Sequence, residues 1–258
     1  MSDEVLCAID AGVATVTLNR PGQRNAMNAA LLASLRDLFE TLDANRDVRV
    51  VVVMGAGPAF CSGMDLKEME ARGGAQSADP EHGVIEVLGR VERSRHPTIA
   101  MVHGDAIAGG CELALHCDLR VAADSARFAM PLARIGIAVP VALTWKLVDT
   151  IGAAATKELL FTGDPAGAET ALALGLVNRV VAAADLGRAV DDLARQVAHN
   201  APLSVRAMKA FVQRATEERR TWRRDDLLEL FHAVQASADA REGLAAQCER
   251  RPPVFRGE

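Results

Sequence analysis

Two glycines and a carboxylate three residues on open the segment AIAGGCELALHCD, residues 106–118. Gly109 and Gly110 stand where an apolar helix begins, and Glu112 falls in its first turn. Peptide N–H groups at a helix start have no intrahelical acceptor. The helix dipole adds partial positive charge there, and glycine lets another molecule approach the backbone closely. Such an end suits a developing negative charge. A second N–H from the loop FCSGMDL, aimed at the same oxygen, would complete an oxyanion hole. Removing one donor from such a hole typically costs ~3–4 kcal/mol of catalysis. Glu112, partly desolvated beside it, would have a raised pKa and act as a general base. A plainer reading fits the same residues: the glycines only allow close helix–strand packing, and Glu112 is an exposed first-turn carboxylate. The local pattern leaves both open.

Other chemistry is thinly represented. Asp105 sits in the turn before the glycines and is a weak second carboxylate. His96, His103 and His116 have no recognisable partner and read as structural. The five cysteines are scattered, none in a C-x-x-C pair, and read as small buried hydrophobes. The phosphate-cradling G-x-x-x-x-G-K-[ST], the zinc-binding H-E-x-x-H and the nucleophile elbow G-x-S-x-G are absent. GAGPAF is too short for a dinucleotide fingerprint, and EERRTWRRDD reads as a solvated helix face. No metal site or resident cofactor is expected.

The elements that must position these residues follow from hydropathy. The chain has 258 residues, half of them hydrophobic, enough for one large core with an appendage. A net charge of −5 offers no surface for nucleic acid. No apolar run reaches the ~18 residues that span a bilayer. The acidic MSDEVLCAID lacks the pattern of a signal peptide, so a cytoplasmic protein away from membranes is expected. VATVTL alternates as a strand, and Asn28 can cap a helix whose stripe is Leu31, Leu32, Leu35, Leu38, Phe39 and Leu42. VRVVVVMGAG and TIAMVHGDAIAGG read as strands buried on both faces and ending in glycine turns. Strand, turn and helix recur with loose spacing, which points to a coiled stack whose turns fall on one side. From about residue 186 only helical patterns remain.

Four stretches in order, VTLNRPGQRNAMN, AFCSGMDLKEM, GDAIAGGCELALHCDLRVA and TGDPAGAETALALGLVNRVV, resemble the enoyl-CoA hydratase/isomerase, or crotonase, family. The likeness runs from about residue 13 to 181 and more loosely to the end. It implies an α/β fold, a spiral of repeated β-β-α units over residues 1–195, with a helical C-terminal, trimerising domain over residues 196–258. It implies a trimer or a hexamer. It implies an acyl-CoA thioester as substrate, with coenzyme A entering only as part of it. The oxyanion donors would be the N–H groups of Met64 and Gly109, and the first catalytic glutamate Glu112. Substrate and coenzyme contacts would fall on Arg24, Ala26, Ser62, Asp65, Leu66, Ala108, Pro131 and Leu132, with a loop-stabilising role the plainer one for Asp65.

The departures matter as much. Hydratases of this family carry a second glutamate, and here that position is Leu132, which cannot transfer a proton. The double-bond isomerases and the hydroxyisobutyryl-CoA hydrolases lean on the same residue. Other branches use a catalytic tyrosine, and this chain has none. The aromatic that often covers adenine would fall on Gln247, with Arg250 nearby. Arg134, two residues beyond Leu132 on a strand-like segment, would point the same way and could hold a charged acyl group; a surface arginine is the plainer reading. The expectation is a hydratase-type enzyme working with one glutamate. The alternative is an acyl-CoA-binding or other enolate-forming relative with little hydratase activity.

Overall fold

The computed structural model describes residues 3–71, 78–217 and 225–256. The chain begins with a hairpin, β1 (Val5–Asp10) and β2 (Val13–Leu18), followed by α1 (Ala29–Ala44). Ala14, Val16 and Leu18 face the core, as the alternation demands. Asn28 caps α1 by accepting from the Leu31 N–H at 2.8 Å, and the six-residue leucine and phenylalanine stripe is buried.

Three units then repeat one plan. The first is β3 (Val50–Gly55), β4 (Ala59–Cys61), α2 (Leu66–Ala71) and α3 (Ala78–Glu92). The second is β5 (Thr98–Val102), β6 (Asp105–Ile107) and α4 (Gly109–His116). The third is β7 (Leu119–Ala123), β8 (Arg127–Ala129) and α5 (Val141–Thr162), followed by β9 (Ala166–Gly167), α6 (Ala168–Ala173) and β10 (Arg179–Val181). Each unit gives its longer strand to one sheet, in the order β1-β2-β3-β5-β7-β10, and its three-residue strand to another, β4-β6-β8-β9.

The register of the short sheet decides where a site can form. β4, β6 and β8 are parallel, with Cys61 beside Ala106, Ala106 beside Phe128, and Ile107 beside Ala129. Their carboxyl ends therefore stand side by side. The loops that leave them, starting at Ser62, Ala108 and Met130, emerge together, the usual place for a site in such sheets.

The middle strands of the long sheet are buried on both faces. Val51 and Val53 pack with α1 and α3, whereas Val50 and Val52 pack under α7 (Leu186–His199) through Leu186, Val190 and Leu193. The continuous valine run follows from that double burial. Because α7 covers the sheet, the expected division at 195/196 falls inside a helix of the core. Beyond it come α8 (Pro202–Glu217), α9 (Asp225–Ala236) and α10 (Ala238–Glu249). Of the stretch EERRTWRRDD, residues 218–224 lie outside the described residues. Among the described residues no helix is long and apolar enough to cross a membrane.

Candidate active site

The loop after β4 and the start of α4 meet face to face. A Cβ placed on Gly63 would lie 3.2 Å from the Gly109 nitrogen, and one on Gly109 would lie 3.7 Å from the Met64 nitrogen. Met27 fixes the first loop from below: its N–H donates to the Gly63 carbonyl at 2.7 Å, and its carbonyl accepts from the Asp65 N–H at 3.0 Å. Both bonds flank Met64, and among the described residues neither its own N–H nor that of Gly109 has an acceptor. Two unused donors thus lie side by side.

Ala108 turns the chain into the helix at φ 48° and ψ −118°, a conformation that L side chains rarely adopt. Strain of this kind costs of order 1–3 kcal/mol and survives only where neighbours impose it. Here they do: the Ala108 N–H donates to the Ala129 carbonyl at 2.8 Å, and its carbonyl accepts from the Glu112 N–H at 3.0 Å. The strained turn sets the direction of the Gly109 N–H. Gly110 has a different task. Any Cβ there would collide with the Cys61 carbonyl oxygen, so only glycine lets α4 rest on β4. The packing and the donor roles therefore fall on neighbouring glycines.

Glu112 is fully buried, and neither carboxylate oxygen has a hydrogen-bond partner. Burial holds its carboxyl well above the ordinary carboxylate range. The charge of Lys146 pulls against this, and that of Glu92 adds to it. The His116 Nδ1 is 3.9 Å from Oε2 and is bonded instead to the Glu112 carbonyl at 2.7 Å. A fully exposed first-turn carboxylate is thus ruled out.

Glu112, Met64, Gly109 and Ala108 border one cavity of about 370 Å³. Ser62, Leu66, Pro131 and Leu132 line it too, so eight of the expected site residues converge there. The wall on the Leu132 side is mostly apolar, with Met130, Ile135, Ile137, Val139 and Leu143, and Arg134 borders it as well. Gln247 reaches the cavity from α10. Sequence patterning did not single out this wall, because isolated apolar residues in a loop carry no periodic signal.

Three expected residues stay off that wall. The Arg24 carbonyl accepts from the Ser62 N–H at 3.0 Å, so residues 24–26 run alongside the cavity's entrance loop without bordering it. Ala26 is buried and its carbonyl accepts from Arg20. Asp65 also faces elsewhere: its carboxylate bonds the Arg20 guanidinium at 3.1 Å and accepts from the Glu68 N–H at 3.4 Å. It holds the loop and starts α2, the plainer of its two readings.

The substitutes considered for a second carboxylate are engaged. Asp105 forms a two-point pair with Arg127 at 2.8 and 3.0 Å on the other side of the short sheet. Arg134 does not follow Leu132 along a strand. Pro131–Ile135 is a 3-10 turn, and the Arg134 guanidinium pairs with Asp164 and the Thr162 carbonyl at the end of α5. His96 and His103 bond backbone carbonyls of Leu42 and Gly57, each at 2.9 Å. Among the described residues no His, Cys, Asp and Glu cluster is arranged to hold a metal ion.

The family model for enoyl-CoA hydratase/isomerase matches residues 8–258. The chain belongs to that family. It is 34% identical over 256 residues to the probable enoyl-CoA hydratase echA8 of Mycobacterium bovis, covering 98% of each chain. It is 36% identical over 262 residues to the carnitinyl-CoA dehydratase of Escherichia coli O157:H7, covering the whole of both. A solved methylmalonyl-CoA decarboxylase in complex with 2-nitronate-propionyl-CoA superposes with a TM-score of 0.92 at 25% identity, over the full length of both chains. The fold is the crotonase fold.

Proposed function

We propose that this member is a lyase of the enoyl-CoA hydratase type, working with a single carboxyl group. One observation carries the reading: two adjacent unused N–H donors, Met64 and Gly109, share a cavity with a buried, unpartnered Glu112. The thioester carbonyl oxygen of a 2-enoyl-CoA accepts from both donors. Glu112 takes a proton from water, the hydroxide adds to the β-carbon, and the electron pair moves onto that oxygen as an enolate. Glu112 returns that proton to the α-carbon. Ser62, Leu66, Ala108, Pro131 and Leu132 shape the space for the thioester, and residues 24–26 lie along the coenzyme's approach. The protein assembles as a trimer or a hexamer.

Leu132 and the state of Glu112 favour a second reading. A buried carboxyl that stays protonated is a ready acid and a reluctant base. Loss of carbon dioxide from a 2-carboxyacyl-CoA forms the same enolate without any base, and Glu112 then protonates the α-carbon. The fold shared with the methylmalonyl-CoA decarboxylase supports this alternative.

Incubation with crotonyl-CoA and with methylmalonyl-CoA, followed by mass spectrometry across pH, separates the two. Hydration gains 18 mass units and speeds up as rising pH ionises Glu112. Decarboxylation loses 44 mass units and slows over the same range. Turnover of neither substrate, nor of longer enoyl-CoAs, would leave a binding protein.

A further inference from the structure

Behind α4, away from the thioester cavity, lies another of about 480 Å³, which among the described residues opens to solvent along the inner side of α8. Its walls are charged, and those charges are tied. Lys146 pairs with Glu92 and Lys209 with Asp118, each at 2.7 Å, and the buried Arg120 guanidinium donates to the Cys117 and Leu176 carbonyls, also at 2.7 Å. A cavity of this size and polarity holds water. His116 lines it too, buried one helical turn beyond Glu112 on the same face of α4. Its Nδ1 lies 2.7 Å from the Glu112 carbonyl oxygen and 3.9 Å from Oε2. A carbonyl only accepts, so the neutral ring carries its hydrogen on Nδ1, toward Glu112. His116 thus stands between the buried carboxyl group and the rear cavity, and the charges of Lys146 and Glu92 act on Glu112 from that side.

We propose that His116 is the rear proton route of Glu112, passing protons between its carboxyl group and water in the second cavity while a thioester fills the first. The inference rests on the thioester reading, in which Glu112 handles a proton in every turnover. Substrate in the front cavity displaces the water there and cuts the carboxyl group off from solvent on that side. A protonated Glu112 must still give up its proton to act as a base, and one that has protonated an α-carbon after decarboxylation must regain it. Imidazole suits the task, because it exchanges protons near neutral pH at two nitrogens of one ring. To recharge Glu112, rear water gives a proton to Nε2 and the ring passes its Nδ1 proton to the carboxylate. The Nδ1–H bond breaks, the Oε2–H and Nε2–H bonds form, and hydroxide stays in the rear water. Proton exchange with that water then restores the resting tautomer. Discharge runs the same steps backward. The 3.9 Å gap closes by side-chain rotation, as such contacts tighten when substrate binds. His116 acts only through Glu112.

The test is infrared spectroscopy of the Glu112 carboxyl group, which needs no turnover. Its protonated C=O band is the one that Glu112→Gln removes, and it shifts as the proton is exchanged after rapid mixing with heavy water. The band is followed in the free protein and in the complex with saturated butyryl-CoA. The wild type should exchange at similar rates in both. His116→Leu and His116→Gln, neither of which can relay a proton, should exchange normally when free and about tenfold or more slowly in the complex, with melting curves confirming that they fold. His116→Ala should be slowed in the same way and recover as imidazole is added. Variants that keep the wild-type rate in the complex overturn the route. Equal slowing in the free and bound states also overturns it, because it marks a purely structural role, and so does a wild type without the band. If butyryl-CoA itself fails to bind, the thioester reading falls and takes the route with it. If exchange behaves as expected but neither crotonyl-CoA nor methylmalonyl-CoA is turned over, only the reading of the reaction falls.

Discussion

Glu112 is a carboxyl group held without a partner in an apolar setting, and its two possible roles make opposite demands on that setting. Its raised pKa means that the folded chain keeps a proton that the unfolded chain gives up above the ordinary carboxylate range near pH 4.5. The folded state then binds more protons than the unfolded one, so stability falls as pH rises, until Glu112 ionises in the fold as well. Glu112→Gln removes that dependence. The variant should melt above the wild type at pH 8, and the gap should close toward pH 4. Scanning calorimetry checks this, and equal melting temperatures at pH 8 would show that Glu112 is stabilised as an anion by something other than these walls. The same substitution should lower turnover ~100- to 10,000-fold while leaving thioester binding intact. Opposite Glu112, Leu132 is half-buried against the core. Leu132→Glu should raise crotonyl-CoA hydration by at least tenfold if the missing carboxylate limits the rate; an unchanged rate would mean that a bound water already does its work. Glu112 stood out in the sequence as a carboxylate at a glycine-opened helix start, whereas the significance of Leu132 came only from the resemblance to the family. For Arg134 only the strand-like segment was wrong: Pro131 opens a 3-10 turn, and Arg134, at the cavity's border, pairs with Asp164 as the plainer, surface reading has it.

At the level of elements, the site depends on how closely α4 docks onto β4. Gly109 and Gly110 look alike in the sequence, yet the structure gives them separable tasks. Gly110→Ala drives a methyl group into the Cys61 carbonyl, which is backbone and cannot swing aside. Overpacking against a rigid neighbour costs about 1–3 kcal/mol or more, so this variant should melt several degrees lower. The one tight contact of Gly109→Ala is with the Met27 terminal methyl, at 2.7 Å, which can move. That variant should fold normally but lose turnover, because the new methyl crowds the space in front of the Met64 N–H. Denaturation and kinetics on the pair check the division: if both variants lost stability equally, Gly109 would be a packing residue as well. The long strands and α1 were readable because a two-residue or 3.6-residue period repeats along them. β4 and β6 were not. Each has only three residues, too few for a period, and each exists because a parallel neighbour supplies its hydrogen bonds. The strain at Ala108 was hidden as well, since a non-glycine at positive φ is imposed by its surroundings and leaves no mark in composition.

Among the described residues eleven large apolar side chains are exposed, and four of them lie on one helix. Along α8, Leu203, Met208, Phe211 and Val212 are all more than half exposed, Leu203 at 76% and Phe211 at 69%. Among the described residues no part of the chain covers them. Contiguous exposed apolar surface rimmed by charge marks protein contact. Lys209 on the same helix turns inward to Asp118, 2.7 Å away, which leaves the apolar side chains on the outward face. A cyclic assembly would use this face identically in every subunit, so a single substitution acts on all copies at once. Phe211→Glu places a charge at each contact and removes its apolar anchor, and neither change disturbs the buried core. The wild-type protein should therefore run as a trimer or hexamer by light scattering at micromolar concentration, with a melting temperature that rises with concentration. Phe211→Glu should run at 27.4 kDa, the mass of one chain, and melt at a temperature independent of concentration. If the wild type is already a monomer of that mass, α8 has another role. If Phe211→Glu keeps the full assembly, the subunits meet through a different face.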